Sequence, residues 1–191
     1  MKILVLDNYD SFTYNLVYLL QKVGGSSQID VFRNDQIDLL SISNYDKIVL
    51  SPGPSLPADA GIMPQLIKQY APSKSILGVC LGHQGIVEAF GGQLINLDTV
   101  LHGFQTKLHI SDSDDYLLEQ VSNESNIGLY HSWTAKEEAL PDTLKITAKS
   151  SEGLVMAIAH KHHDVKGVQF HPESIMTEYG EQMITNWINK N

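Results

Sequence analysis

Four short runs of apolar and β-branched residues recur along the first 80 positions of the chain. They are ILVL at 3–6, IDVF at 29–32, KIVL at 47–50 and SILGVC at 75–80. Apolar runs of this length are typical of strands that are buried on both faces of a sheet. We therefore predict four core strands in this part of the chain.

The segments between these runs place their apolar residues at helical spacing. In DSFTYNLVYLLQKVGG the spacing i, i+4, i+7, i+8, i+11 forms one apolar face, made by Phe12, Leu16, Leu19, Leu20 and Val23. This pattern predicts an amphipathic helix, with Asp10 or Ser11 as its cap and Gly24-Gly25 as its end. Further helices are predicted from near Gly61, over LGHQGIVEAF and over EQMITNWINK.

Strands that alternate with helices predict an α/β fold, a doubly wound and mostly parallel sheet with helices on both faces. From about residue 93 the pattern changes to shorter β-like stretches that end with KGVQF, and we expect these to be antiparallel additions to one domain that spans 1–191. In such a fold the functional crevice lies at the carboxyl ends of the strands. The segments at those ends are DNYDS at 7–11, SPGPS at 51–55 and CLGHQ at 80–84.

Composition narrows the classes of function. The 191 residues include 13 Lys and Arg against 22 Asp and Glu, a formal net charge of −9, and no block of basic residues. This balance argues against nucleic-acid binding. The opening MKILVLDNYD has too short an apolar run for a signal peptide or a membrane span, so we expect a soluble, cytoplasmic protein.

The single cysteine, Cys80, lies in the pattern Gly78-Val79-Cys80-Leu81-Gly82. G-x-nucleophile-x-G is the pattern of a sharp strand-to-helix turn that exposes a nucleophile. A thiol there sits at a helix N-terminus, whose partial positive charge favours the thiolate. The alternative is a buried structural cysteine, and the five residues alone favour neither.

A thiolate nucleophile needs a base, and QFHPES at 169–174 has the most suggestive of the eight histidines. In an extended segment His171 and Glu173 point to the same side, so the carboxylate could orient the ring. The alternative is a coincidental surface pair. His160, His162 and His163 lack both a cysteine and helical spacing, so we expect no metal site there.

Acyl transfer also needs N–H donors aimed at the developing oxyanion. The backbone N–H of Leu81 at the start of the helix is one candidate. Gly53, between two prolines in SPGPS, could expose a second, although that segment also fits an ordinary proline-rich turn.

The motifs LDNYDSFTYNL, SPGP, GVCLGHQ, YHSW and GVQFHPES occur in this order along the chain. Together they resemble the class I, or triad-type, glutamine amidotransferases over almost the whole chain. The DNYDSFT opening and the length are most similar to the glutaminase subunits of anthranilate synthase and aminodeoxychorismate synthase.

The resemblance implies a role for each candidate residue. Cys80 would be the nucleophile, His171 the general base and acid, and Glu173 the carboxylate that orients the ring. Gly53 and Leu81 would form the oxyanion hole. L-Glutamine would be held by the Gly53-Pro54-Ser55 loop, Gln84, Ser132 and Trp133, and His83 and His131 would lie in or behind the wall of the site.

The resemblance also implies a partner. Ammonia would pass to a separate chorismate-binding subunit that holds Mg²⁺, while this chain, which has no room for an acceptor domain, carries no cofactor or metal. We expect anthranilate as the product, with 4-amino-4-deoxychorismate as the alternative.

Two other functions remain open, a stand-alone cysteine hydrolase and a silent scaffold. Gln84 and YHSW argue against the first, and the retained cysteine, histidine and glutamate argue against the second. Ser55, Phe104 and Leu129 depart from the commoner family pattern. Ser55 implies backbone strain, and the other two affect expected partner contacts.

Overall fold

The computed structural model describes residues 1–190, which form nine strands in one sheet and four α-helices. The strands are β1 (Lys2–Asp7), β2 (Gln28–Arg33), β3 (Lys47–Leu50), β4 (Ser75–Val79), β5 (Leu94–Ile110), β6 (Ser125–Ala135), β7 (Leu144–Ser150), β8 (Val155–His160) and β9 (Val165–Val168). The helices are α1 (Thr13–Val23), α2 (Met63–Tyr70), α3 (Leu81–Ala89) and α4 (Gly180–Asn189). None of the helices in this part of the chain is long and apolar enough to cross a membrane.

The order of strands in the sheet is β2-β1-β3-β4-β9-β8-β7-β5-β6. The first five are parallel to one another, and β8, β7, β5 and β6 follow as antiparallel additions. One prediction was wrong: the KGVQF stretch forms β9, which pairs parallel with β4. All four residues of β9 are buried, and burial on both faces gives a strand the same composition whether its neighbours run parallel or antiparallel to it.

Helices cover both faces of the sheet, which confirms the doubly wound prediction. One apolar layer joins α1 and α4 through Leu16, Leu20, Ile184 and Trp187. The other joins α2 and α3 through Met63, Leu66, Ile67 and Ile86. The central strands are therefore fixed from both sides, and so are the turns at their ends.

The start of α1 differs from its prediction. Phe12 occupies the cap position, and its backbone N–H donates to Oδ1 of Asp10 at 2.7 Å. Neither Asp10 nor Ser11 is the N-cap residue, although the helix ends before Gly24 as predicted. Asp7, at the end of β1, accepts from the backbone of Tyr9 and from Oγ1 of Thr13, each at 2.9 Å, and so ties the strand to the helix.

Candidate active site

The turn between β4 and α3 is a strained elbow with Cys80 at its tip. The residue has φ 52° and ψ −101°, a conformation that a non-glycine residue adopts only when its surroundings impose it. A Cβ on Gly78 would lie 2.5 Å from the backbone carbon of Gly82, and a Cβ on Gly82 would lie 2.4 Å from the carbonyl oxygen of Leu50. The structure therefore has the elbow that the G-x-C-x-G pattern predicts, and close packing requires both glycines.

The segment that follows β9 brings a histidine and a glutamate together. Nδ1 of His171 lies 2.7 Å from Oε1 of Glu173, and the two side chains are 2% and 0% exposed. The pairing was predicted, but its reason was wrong. The backbone N–H of Ser174 donates to the carbonyl of His171 at 3.2 Å, so the segment is a tight turn and not an extended strand.

Neighbouring groups fix the His171 ring. Its backbone N–H donates to the carbonyl of Gly128 at 3.1 Å, and its carbonyl accepts from Oγ1 of Thr177 at 2.7 Å. The rings of Phe12 and Tyr130 pack edge-on against the imidazole, with centroid distances of 5.6 and 4.9 Å. The ring therefore keeps one orientation.

The charges in the site favour a protonated His171. Burial lowers the pKa of His171, but the Cys80 thiolate and the Glu173 carboxylate outweigh this effect and raise the pKa to about 10. Nδ1 of His171 is bonded to the Glu173 carboxylate, while Nε2 is buried and has no hydrogen-bond partner in residues 1–190. At neutral pH the imidazolium is thus the favoured state of His171, with the Nε2 proton free for transfer.

The loop after β3 lies directly on the start of α3. A Cβ on Gly53 would come within 2.6 Å of Cδ2 of Leu81 and 2.7 Å of the carbonyl oxygen of Asn8. Asn8 braces the loop, because its backbone N–H donates to Oγ of Ser51 and its side-chain amide to the Ser51 carbonyl, each at 2.8 Å. The N–H of Leu81 is the first of the helix and has no intrahelical acceptor. Both predicted oxyanion donors therefore adjoin the elbow.

A cavity of about 130 Å³ opens at the elbow. Its lining contains Cys80 and five of the six residues predicted to bind glutamine, Gly53, Ser55, Gln84, Ser132 and Trp133. Pro54 does not line it: its side chain is exposed on the solvent side of the loop. Ser55 has φ 65°, the strained backbone that its position in the motif implied. A larger groove of about 420 Å³, near Asp30 on β2, contains none of these groups.

Tyr130 and His131 complete the lining. The sequence pointed to His131 as a wall residue but not to Tyr130, although both belong to the YHSW stretch of β6. Nδ1 of His131 lies 2.9 Å from the carbonyl oxygen of Trp133, and burial lowers the pKa of His131 to about 4. His131 is therefore neutral at physiological pH, unlike His171.

His83 lies behind the site and does not line the cavity. It is completely buried against Gly167 of β9, and neither ring nitrogen has a hydrogen-bond partner among the described residues. Burial lowers the pKa of His83 to about 3, against a smaller opposing effect of the Gly167 backbone. The ring is a neutral packing group between α3 and β9.

The three clustered histidines belong to the β8–β9 turn. Nδ1 of His160 accepts from the backbone N–H groups of His162 and His163, each at 3.0 Å. This nitrogen therefore shapes the turn. Within residues 1–190 no three His, Cys, Asp or Glu side chains are grouped so that they could hold a metal ion.

Sequence reasoning missed one buried residue that touches the nucleophile. Nε2 of Gln169 donates to Sγ of Cys80 at 3.7 Å, and Oε1 of Gln169 accepts from Nε2 of Gln84 at 3.2 Å. The motif GVQFHPES contained a signal for this residue. Gln169 is polar, follows a buried strand directly and precedes the candidate base by two positions, which indicates a role in the site and not in the apolar core.

The positions that depart from the family pattern have different surroundings. Leu129 is completely buried in the core, whereas its cross-strand neighbour Phe104 is 42% exposed. Phe104 can thus contact a partner directly and Leu129 cannot. A Cβ on Gly85 of α3 would lie 2.7 Å from Cε of Met63, so this glycine serves packing between α3 and α2.

Known proteins resemble this chain along its length. The family model for class-I glutamine amidotransferases matches residues 4–191. The aminodeoxychorismate/anthranilate synthase component 2 of Bacillus subtilis is 43% identical over 97% of this chain and 95% of that protein. The aminodeoxychorismate synthase component 2 of Escherichia coli is 40% identical over 98% of this chain and 100% of that protein. A solved glutamine amidotransferase from Thermotoga maritima has the same fold, with a TM-score of 0.77 at 14% identity over 98% of this chain and 80% of that one.

Proposed function

We propose that this chain, which belongs to the class-I glutamine amidotransferase family, is the glutamine-hydrolysing component of an anthranilate or aminodeoxychorismate synthase. The observation that carries the proposal is the elbow cysteine beside a buried His171–Glu173 pair, at the mouth of a cavity of about 130 Å³. A cavity of this size suits a small amide substrate better than a peptide.

In the first half of the proposed reaction the Cys80 thiolate attacks the side-chain carbonyl carbon of glutamine. The negative charge that develops on the oxygen is stabilised by the backbone N–H groups of Gly53 and Leu81. When the tetrahedral intermediate collapses, the C–N bond breaks and His171 gives its Nε2 proton to the departing nitrogen. The products of this half are ammonia and a γ-glutamyl thioester on Cys80.

In the second half His171, now neutral, takes a proton from a water molecule that attacks the thioester. The C–S bond breaks, glutamate leaves, and the thiolate and imidazolium are restored. Glu173 exchanges no proton in either half: it holds Nδ1–H and stabilises the positive ring. The raised pKa of His171, to about 10, supports the presence of the proton that the first half requires.

The proposed partner is a chorismate-binding subunit that holds Mg²⁺, receives the ammonia and completes the product. Its existence is supported by the names of the two relatives, each a second component of a synthase. We propose anthranilate as the product and 4-amino-4-deoxychorismate as the alternative. The relative from Bacillus subtilis is named for both.

Reconstitution tests this proposal. The purified chain is mixed in turn with the chorismate-binding subunit of each synthase, chorismate, glutamine and Mg²⁺, and both products are followed. We expect glutamine-dependent anthranilate and a glutaminase rate that rises when the partner is present. If product forms only with the subunit of aminodeoxychorismate synthase, the choice of anthranilate as product is reversed. If glutamine is not turned over with either subunit, the proposal is contradicted.

The variant Cys80→Ala should abolish glutamine-dependent synthesis completely, because no other thiol exists in the chain. Synthesis from added ammonium salt should continue at the rate of the partner alone. The two rates are measured on the same complex, and co-elution of the variant chain with the partner in size-exclusion chromatography is the control for folding. Glutamine hydrolysis at the wild-type rate would show that the nucleophile is another group.

A further inference from the structure

Two side-chain amides link the wall of the cavity to the nucleophile. The carbonyl of Trp133 accepts from Nε2 of Gln84 at 2.8 Å, and the same nitrogen donates to Oε1 of Gln169 at 3.2 Å. Nε2 of Gln169 in turn donates to Sγ of Cys80 at 3.7 Å. Gln169 is completely buried and Gln84 is 3% exposed, so water does not compete for these bonds.

The carbonyl oxygen of Trp133 fixes which group donates and which accepts in each of these hydrogen bonds. A backbone carbonyl can only accept, so Gln84 must present its nitrogen to Trp133. That same nitrogen can only donate to Gln169, which must therefore present its oxygen to Gln84 and its nitrogen to Cys80. The sulfur is consequently the acceptor, a role that a thiolate fills more strongly than a thiol. Oε1 of Gln84 takes part in none of these bonds, and Gln84 itself lines the cavity.

The backbone holds Gln169 in place for this contact. Its N–H donates to the carbonyl of Met156 on β8 at 2.8 Å, while the N–H of Cys80 donates to the carbonyl of Val168 at 2.8 Å. The backbone of this segment is therefore tied both to the antiparallel strand β8 and to the elbow, two residues before the proposed base.

We propose that Gln169 is a further catalytic residue, which donates a hydrogen bond to Sγ of Cys80 and orients the Gln84 amide toward bound glutamine. One residue thus acts on the nucleophile and on the substrate pocket at once. This inference rests on the proposed glutamine hydrolysis. A purely structural role would change stability without changing the division between kcat and KM.

Four variants in the reconstituted complex test this role. Gln169→Met keeps an unbranched side chain but removes both the donor and the acceptor, and should lower kcat about tenfold to hundredfold, the usual effect of losing a hydrogen bond to a charged group. It should also raise KM, because the Gln84 amide loses a partner. Gln84→Met should raise KM with a smaller effect on kcat. In the double variant KM should equal that of Gln84→Met, while kcat stays as low as in Gln169→Met.

Gln182→Met is the matched control, because within residues 1–190 this amide on α4 donates only to Oδ1 of Asn186, at 2.8 Å, away from the site. It should leave both kinetic constants unchanged. Co-elution of each variant with the partner and denaturant unfolding of the isolated chain report docking and folding, and Gln169→Leu replaces Gln169→Met if that variant does not fold.

A folded Gln169 variant with wild-type kcat and KM would overturn the inference, as would the same fall in kcat for Gln182→Met. If the wild-type complex itself does not hydrolyse glutamine, the proposed function fails and the inference fails with it. An active wild type with an unaffected Gln169 variant overturns the inference alone.

Discussion

The parallel and antiparallel parts of the sheet contribute to the site in different ways. Strands β3, β4 and β9 are buried over nearly their whole length, and the turns that follow them carry Cys80, His171 and the Gly53 loop. The long strand β5, by contrast, has most of its residues partly or fully exposed. Its partner β6 contributes the cavity wall from Tyr130 to Trp133.

The reacting groups thus all lie in the parallel part, whereas the antiparallel part contributes only to the wall of the cavity. A cysteine at φ 52° persists only because backbone atoms on every side hold it, and two covered faces of parallel sheet provide that rigidity. The β6 wall of the cavity needs less rigidity, because it contributes a carbonyl, that of Trp133, and rings that exclude water. We therefore expect changes at the elbow and at the His171–Glu173 turn to lower kcat and stability, and changes in the β6 wall, like those at Gln84, to alter KM.

The largest loss of kcat that tests this comparison should come from Glu173→Gln, after the last parallel strand. An amide at this position no longer stabilises the positive ring and can hold the wrong tautomer, so kcat should fall by at most about 10⁴-fold with KM nearly kept. His171→Ala should lose more. Steady-state glutamine hydrolysis in the complex measures both, and an equal, complete loss in the two variants would leave no separate role for Glu173.

The next effect compares two glycines of α3. An Ala at Gly82 would place Cβ 2.4 Å from the backbone oxygen of Leu50, and the free energy of unfolding should fall by about 3 kcal/mol. An Ala at Gly85 meets only the flexible end of Met63, and the helix gains about 0.5–1 kcal/mol in propensity, so the net change should be small. Denaturant unfolding of both variants checks this, and equal losses would contradict it.

The third effect is a pH dependence. His83 must stay neutral in the folded protein, where its pKa is about 3, but takes up a proton near pH 6.5 when unfolded. The stability from this neutral ring is present above pH 6.5 and is lost as the pH falls toward 3. Between pH 7.5 and 5.0 the wild type should lose about 2 kcal/mol more than His83→Leu. Parallel curves of unfolding free energy against pH would show that the ring is not held neutral.

The smallest effect should come from the antiparallel part. Tyr130→Phe removes a hydroxyl that lies 3.1 Å from Oγ of Ser174 but keeps the ring against His171. We expect kcat/KM to fall about fivefold, mainly through KM. Tyr45→Phe, whose hydroxyl donates to Asp30 at 3.0 Å far from the cavity, is the control. A fall in kcat alone for Tyr130→Phe would contradict the expectation that the antiparallel wall acts mainly on KM.

Local patterns predicted the elements that carry the chemistry. Buried strands, the elbow at Cys80 and the His171–Glu173 pair followed from short motifs, because each depends on neighbours within a few residues. Most of the cavity lining was implied by the resemblance to the family. The direction of β9, the place of Pro54 and the cap of α1 did not follow. These depend on which strand lies beside another and on which side of a loop faces solvent.

The sequence by itself determined the alternation of strands and helices, the family and the residue types of the site, since periodicity and glycine spacing are properties of adjacent positions. Only the tertiary structure decided that Gln169 touches Cys80, that Leu129 is buried beside an exposed Phe104, and that His171 is protonated while His83 and His131 are neutral. Contacts across 89 positions and the balance between burial and nearby charge arise from packing, and no local pattern encodes them.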